Sequence, residues 1–199
     1  MNLQIAKWDR RYAEDGPSPL APPSAPLPDT VTNVTPGRAL DLACGAGRHA
    51  VWLATRGWRV DAVDGSPVAI GQLTHHAEQA GCSDRVTPTL ADLETEPSVF
   101  TIANGRYDLI VDCYFLHRPL FKAIRRGVRR GGLFVAVLHL RSPTATDGHR
   151  YALERRELET MVTSWRWEIV HSREQDGQDE RTVANGQDLG VAEIVARRP

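Results

Sequence analysis

The chain has 199 residues, 24 Lys and Arg against 25 Asp and Glu, a formal net charge of −1 and three cysteines. This length allows one compact domain with a substantial core, and the near-neutral charge provides no overall attraction to nucleic acid or anionic lipid. No apolar run reaches the length of a membrane helix, and the amino terminus lacks a signal-peptide pattern. We therefore expect a cytoplasmic protein with reduced cysteines, no membrane contact and no nucleic-acid partner.

The first 36 residues divide into two parts. Residues 3–14 have helical spacing, with Ile5, Trp8 and Tyr12 along one side. Residues 16–36 contain seven prolines and predict a linker or covering loop without a helix. The segment is either an untethered arm or a lid that lays Trp8 and Tyr12 over a ligand. We divide the chain into this N-terminal segment, residues 1–36, and a domain of residues 37–199.

Residues 39–64 carry the most informative pattern: a buried strand, a glycine turn, a helix and a second buried strand. The small residues Gly45, Ala46 and Gly47 let the backbone approach a ligand. Asp64, at the end of the second strand, can hold two ribose hydroxyls. The pattern predicts an adenosine-containing cofactor. The same turn also satisfies the dinucleotide pattern GxGxxG/A, so a nicotinamide cofactor is a second interpretation.

Two further carboxylates favour a cationic cofactor over a dinucleotide. Asp41 lies inside the first strand, where it would do nothing for a pyrophosphate but would attract an ammonium or sulfonium group. Asp92 ends a third strand, residues 85–92, and suits an adenine amino group.

The remaining elements alternate as in a parallel sheet. Ser66 and Pro67 begin a helix that Gly81 ends, and residues 94–105 predict a loop. We expect strands at residues 107–115 and 133–140, helices at 117–130 and 153–164, and final strands at 165–173 and 189–196. The last two strands have no helix between them and can pair antiparallel. The predicted fold class is α/β: a single Rossmann-like, doubly wound, seven-stranded sheet, mostly parallel with an antiparallel C-terminal hairpin.

Three sequence features follow one another along the chain: residues 41–47, Asp64 and the pair Asp92-Leu93. In this order and spacing they resemble the motifs of class I S-adenosylmethionine-dependent methyltransferases. The resemblance implies S-adenosylmethionine as cofactor and S-adenosylhomocysteine as product. It implies that the cofactor contacts are Trp8, Tyr12, Asp41, Ala43, Gly45, Gly47, Arg48, Asp64, Gly65, Ser66, Asp92, Leu93 and Cys113. Should the methyl acceptor have to lose a proton, His117 or Tyr114 is the nearest helper after the fourth strand.

Within that class, the segment 8–12, the turn 44–48 and the tail 181–186 resemble the small tellurite-resistance and thiopurine-type methyltransferases. The resemblance implies a His-Arg pair and a further Arg around the tail, which would bind an anionic acceptor. The corresponding positions here are Glu180, Arg181 and Asp188, so only Arg181 matches. We therefore expect Arg181 near a small acceptor of the thiol, oxyanion or carboxylate type.

Three other functions remain open at this point. They are a methyltransferase acting on a macromolecule, an NAD(P)-dependent oxidoreductase, and a protein that binds the nucleoside cofactor without turnover. No metal site is expected, because no Cys pair has zinc spacing.

Overall fold

A computed structural model describes residues 3–16, 18–95, 100–141, 151–177 and 189–199. Within these ranges the strands are β1 (Arg38–Leu42), β2 (Arg59–Asp64), β3 (Val86–Leu90), β4 (Tyr107–Cys113), β5 (Val128–Arg141), β6 (Glu168–Gln175) and β7 (Leu189–Arg197). The α-helices are α1 (Leu3–Asp15), α2 (Leu27–Val31), α3 (Arg48–Ala54), α4 (Pro67–Gln79), α5 (Leu120–Gly127) and α6 (Glu157–Ser164). None of these helices has the length and apolarity needed to span a bilayer.

The strands form one sheet in the order β3-β2-β1-β4-β5-β7-β6. The pairs from β3 through β5 are parallel, whereas β7 runs antiparallel to both β5 and β6. One apolar core contains residues of α2, α3 and α4, and a second contains residues of α5 and α6, so both sheet faces are covered. The predicted seven-stranded, mostly parallel sheet with an antiparallel C-terminal pair is confirmed.

The residues predicted to begin and end α4 do so in the structure. The Ser66 hydroxyl accepts a hydrogen bond from the backbone N–H of Ala69, and Pro67 occupies the first turn. Gly81 follows the helix with a positive φ of 63°. These contacts fix the start of α4 directly after β2, beside the strand ends.

The proline-rich segment differs from the prediction because it contains the short helix α2. Its proline lies in the first turn, where a missing N–H is not needed, so the residue does not oppose a helix. Leu27 and Val31, four residues apart, are both buried against the face that carries α3. Burial of this apolar pair stabilises a helix that proline content alone argues against.

The predicted helix over 117–130 is shorter in the structure. It spans Leu120–Gly127, and Val128 already pairs with Tyr107 of β4. Gly131 and Gly132 therefore lie within β5, at a register shift, and not in a turn before it. The predicted helix over 153–164 begins only at Glu157, because Leu153 instead forms a parallel bridge with Leu140.

A buried charge network joins β1, β2 and β4 near their starts. Asp61 accepts two hydrogen bonds from Arg38, at 2.9 and 3.1 Å, and one from the Tyr107 hydroxyl at 3.0 Å. The Asp61 side chain is only 13% exposed. Burial, with the nearby Asp61 charge, raises the pKa of Tyr107 to about 12, so the phenol stays protonated and donates.

We expect Tyr107→Phe to lower the free energy of unfolding by about 1–2 kcal/mol, because it removes a donor to a buried carboxylate. Asp84→Ala, at an exposed ion pair whose atoms lie 4.0 Å apart, should change it by less than about 0.5 kcal/mol. Urea unfolding at pH 7 measures both. Equal effects of the two substitutions would show that the network adds nothing beyond surface charge.

Candidate functional site

A cavity of about 580 Å³ opens at the carboxyl ends of the parallel strands. The strand order reverses between β1 and β4, and ligands of open α/β sheets bind at such a reversal. The described residues that line it come from α1, the proline-rich segment, the β1–α3 turn, and the ends of β2, β3, β4 and β5. Of the predicted residues, the cavity wall includes Trp8, Tyr12, Ala43, Gly45, Arg48, Asp64, Gly65, Ser66, Asp92, Leu93, Cys113 and Tyr114.

The β1–α3 turn brings bare backbone to the cavity. Ala43 and Gly45 have positive φ values of 49° and 55°. The φ of Gly45 is one that side chains rarely adopt, and a Cβ there would also displace the Tyr12 hydroxyl, so glycine favours this close approach. A Cβ on Gly47 would instead meet Leu73 of α4. Gly47 therefore serves helix packing and lies off the cavity wall, although the sequence pattern predicts ligand contact for it.

Asp64 holds the turn and the start of α4 together. Its Oδ2 accepts from the Gly45 N–H and its Oδ1 from the Ser66 N–H, both at 2.8 Å. Burial raises the pKa of Asp64, and its backbone hydrogen bonds oppose that shift. Each carboxylate oxygen retains a second lone pair. Asp64 can therefore accept hydrogen bonds from two ligand hydroxyls at the cavity wall.

Asp41 lies two residues before Ala43 on β1 and is 1% exposed. Neither of its oxygens makes a hydrogen bond of normal geometry with a described residue. Burial raises its pKa to about 8, the Asp64 charge adds to the shift, and the Ala50 N–H only partly offsets it. A buried carboxyl without a partner is costly, so this group is suited to a cation above the strand ends. Asp41 does not line the cavity and would act on a ligand through its charge or through water.

Asp112 is a second buried carboxyl near this edge, and the sequence analysis did not single it out. It is 1% exposed on β4, and one of its oxygens has no hydrogen-bond partner among the described residues. Burial and the Asp41 charge raise its pKa well above its ordinary value. Its apolar neighbours in the sequence predicted a buried strand, and nothing in that pattern indicated a second buried acid at this edge.

The end of β3 supplies one side of the wall. The Asp92 carboxylate accepts from the Glu94 N–H at 2.9 Å, which fixes a turn directly after the strand. Leu93 is 4% exposed and packs into the core beneath. A carboxylate and an apolar surface thus lie beside each other here, as an adenine ring with an amino group requires.

Helix α1 lies over the opening and buries none of its own residues. Asp9 Oδ1 accepts from the Ser66 hydroxyl at 2.6 Å and from the Val68 N–H at 3.2 Å, at the start of α4. Gln72 of α4 donates to the Tyr12 carbonyl at 2.8 Å. The helix is therefore held by a few polar contacts and not by a buried apolar face.

The other end of the cavity is mainly aromatic and apolar. Its wall includes the described residues Cys113, Tyr114, Phe115, Leu116, His139, Tyr151 and Leu189. Tyr114 has a positive φ of 65°, a strained conformation for a bulky residue and one that is frequent at functional sites. The Tyr114 and His139 rings lie 5.2 Å apart.

Of the two other predicted catalytic residues, the structure describes His117 alone. His117 lies off the cavity, with its ring 6.4 Å from that of Phe115. Arg181 lies outside the described residues. His139 was not predicted. Strand alternation puts it on the same sheet face as Val137, but its place at the cavity wall depends on the register of β5 with its neighbours.

The chain is similar to many known proteins, including the following three. A 2-heptyl-1-hydroxyquinolin-4(1H)-one methyltransferase of Mycobacteroides abscessus is 31% identical over 125 residues, 58% of this chain and 52% of that protein. TehB of Haemophilus influenzae superposes with a TM-score of 0.74 at 22% identity, over 89% of this chain and 63% of that chain. A geranyl diphosphate C-methyltransferase of Streptomyces coelicolor, solved with S-adenosyl-L-homocysteine, superposes with a TM-score of 0.66 at 16% identity, over 87% of this chain and 75% of that chain.

The chain spans about half the length of the Mycobacteroides relative and less than two thirds of the Haemophilus chain. The two superpositions establish the shared fold. The family match is broader, since residues 20–193 match the family described as tellurite resistance protein TehB. The chain therefore belongs to the TehB family, among the class I S-adenosylmethionine-dependent methyltransferases.

Proposed function

We propose that the chain transfers the methyl group of S-adenosylmethionine to a small-molecule acceptor of the thiol, oxyanion or carboxylate type. The observation that carries this proposal is the Asp41 carboxyl, which is buried near Asp64 without a hydrogen bond of normal geometry to any described residue. A nucleoside with cationic groups would favour the ionised form of Asp41 and give Asp64 hydroxyls to bind, whereas a pyrophosphate would gain nothing from either acid. A nicotinamide cofactor is disfavoured for the same reason.

In this proposal Asp64 accepts the two ribose hydroxyls, and Asp92 with Leu93 binds the adenine. Asp41 stabilises the cationic end of the cofactor through its charge or through water. The backbone at Ala43, Gly45, Gly65 and Ser66 lets the ligand lie close to the strand ends. Trp8, Tyr12, Arg48 and Cys113 complete the wall.

The bound cofactor would supply an electrophilic methyl group on a sulfonium. The chain's contribution is then alignment of the acceptor and exclusion of water, because the displacement itself needs no covalent participation of the protein. Tyr114, at the acceptor end, can position the acceptor by hydrogen bonding. Arg181 and His117 stay candidates from sequence alone.

A small acceptor is favoured over a macromolecule by the size and cover of the cavity. It holds about 580 Å³ and is bordered by α1 and the proline-rich segment. That volume is typical of sites for small molecules. Two similar proteins, a methyltransferase named for 2-heptyl-1-hydroxyquinolin-4(1H)-one and one named for geranyl diphosphate, support the same conclusion.

For the N-terminal segment we propose the lid and not the free arm. Asp9 of α1 accepts a hydrogen bond from Ser66, and Gln72 of α4 donates one to the Tyr12 carbonyl of α1. Both hydrogen bonds support the lid, as does the closeness of Tyr12 to Gly45. The proline-rich part supports it too, because Arg48 donates to the Pro22 carbonyl and the His49 ring contacts Ser24.

We expect Asp64→Asn to weaken binding of S-adenosylhomocysteine by about tenfold to a hundredfold, because the amide is a poorer acceptor for ligand hydroxyls. Thermal shift at several ligand concentrations measures this loss. Asp29→Asn, at an exposed acid on α2, should bind like the wild type. A shift with a nicotinamide nucleotide and none with S-adenosylhomocysteine would overturn the proposed function.

Asp41→Asn should stabilise the protein increasingly as the pH rises. The folded-state pKa of Asp41 is about 8, above the ordinary value of 3.8, so the folded state holds this proton more tightly than the unfolded state. Wild-type stability therefore falls as the pH rises from about 4 to about 8, while the neutral Asn contributes no such loss. Urea unfolding should show the variant gaining at least about 1 kcal/mol on the wild type between pH 5 and pH 8. A difference that does not change with pH would mean that Asp41 is already ionised.

Asp9→Ala should loosen α1 and raise the dissociation constant of S-adenosylhomocysteine several-fold, because it removes two hydrogen bonds at the start of α4. Brief trypsin digestion at Lys7, Arg10 and Arg11 measures the opening of α1. S-adenosylhomocysteine should slow this cleavage in the wild type and less so in Asp9→Ala. Glu14→Ala, on the same helix, is the matched control. Cleavage that the ligand does not affect would indicate a free arm.

A further inference from the structure

We propose that His139 is the catalytic base of this site, and that the acceptor is a neutral hydroxyl or thiol whose proton His139 removes. This inference rests on the proposed function. It keeps the thiol of that acceptor class, adds the neutral hydroxyl and disfavours the oxyanion and the carboxylate. It replaces His117, which lies off the cavity, with a histidine that the sheet brings to the cavity wall.

His139 is held in place by its backbone on two sides. In β5 it pairs with Val191 of β7, and its carbonyl accepts from the Leu153 N–H at 2.8 Å. The adjacent Leu140–Leu153 bridge and the Arg141 N–H on the Leu153 carbonyl extend this clamp. A side chain on such a fixed strand end is aimed more accurately than one on a loop such as that of His117.

Tyr114 fixes the imidazole from the neighbouring strand. The Tyr114 N–H donates to the Val137 carbonyl at 2.7 Å, which holds the strained residue against β5. Its ring then lies 5.2 Å from the His139 ring, at an angle of 50°. The phenol and the imidazole thus share one part of the wall, where an acceptor could contact both.

The other side chains at this end favour a largely uncharged acceptor. Leu116 and Leu189 are 4% exposed, and Phe115 is half-buried. An ionised oxyanion or carboxylate would lose its hydration here against apolar surface. The cavity has one further imidazole among its described residues, that of His49, and this ring is turned to the Ser24 N–H and hydroxyl at 3.3 and 3.2 Å. His139 is the base that faces the aromatic end.

The step balances without a further reactant. The acceptor's O–H or S–H proton passes to an imidazole nitrogen, and the freed electron pair forms the new bond to the methyl carbon. The carbon–sulfur bond breaks with its pair retained on sulfur, which leaves a neutral thioether. The imidazolium then returns its proton to solvent.

The first test compares two ligands that differ by a single charge. S-adenosylmethionine carries the sulfonium and S-adenosylhomocysteine does not, so only the former repels a protonated imidazole near the reacting centre. We expect the pKa of His139, measured by NMR on the full chain, to be lower with S-adenosylmethionine by about half a unit or more. His139→Gln assigns the signal, and His117 should shift less. The charges fixed in the wall are the same in both complexes: Lys7, Asp15, Arg48, Asp64, Asp92 and Glu94.

Equal pKa values of His139 in the two complexes, or a larger difference at His117, would overturn the assignment. If neither ligand raises the unfolding midpoint of the wild type, the proposed function itself fails. If both ligands bind without a difference at His139, only the base assignment fails. The two failures are therefore distinguishable without a known acceptor.

The second test uses three aromatic probes that differ in the nucleophile: phenol, phenylmethanethiol and benzoate, each with labelled S-adenosylmethionine. Turnover of phenol or the thiol should fall by about a hundredfold or more in His139→Gln and lose the acidic limb of its pH profile, with little change in cofactor binding. His75→Gln, at an exposed position of α4, should keep both. Methylation of benzoate at equal rates in the wild type and His139→Gln would contradict the proposed acceptor class. Should none of the probes be methylated, the NMR comparison decides.

Discussion

The site depends on one carboxylate that accepts two backbone hydrogen bonds. Asp64 binds the N–H of Gly45 and the N–H of Ser66, so the turn after β1 and the start of α4 are both oriented by the end of β2. Because an uncompensated carboxylate would be costly at this depth, these N–H groups must stay in place. The turn after β1, the end of β2 and the start of α4 are thereby held together beside the cavity. Helix α1 attaches to the same junction, since Asp9 bonds to Ser66 and Val68.

The cavity has two chemically different ends. The end near β1, β2 and β3 is acidic, with Asp41 beneath it and Asp64 and Asp92 on its wall. The end near β4 and β5 is aromatic and apolar, with one imidazole. A polar, cationic nucleoside and a mainly apolar acceptor would each have a suitable surface, and they would meet near Tyr114. This separation follows from the strand order. Strands β1 and β4 are adjacent, and the chain continues from β1 toward β2 on one side and from β4 toward β5 on the other.

Local patterns in the sequence were sufficient for the sheet and for the acidic end. Asp64 and Asp92 follow runs of buried strand residues, and Ser66 with Pro67 marks the start of α4 without reference to any distant contact. The aromatic end was predicted less well. His139 reaches the cavity only because β5 aligns with β7 and β4, and that register is a long-range property.

The errors in helix boundaries have the same physical origin. Helix α2 forms because Leu27 and Val31 find a buried surface, although proline content in this segment argues against a helix. Helix α5 ends at Gly127 because Val128 gains a strand partner in Tyr107. In both cases tertiary burial or pairing outweighs local propensity, and the sequence of the segment alone does not contain the competing contact.

The burial of the Cys44 thiol lowers its reactivity toward an alkylating cofactor. Cys44 lies in the cavity wall and is 5% exposed, and burial together with the charges of Asp41 and Asp64 raises its pKa well above its ordinary value. Only the thiolate form of cysteine is a strong nucleophile. A pocket that holds an alkylating agent therefore keeps its own sulfur in the unreactive form. The carboxylates proposed to bind the cofactor thus also protect the protein from self-modification.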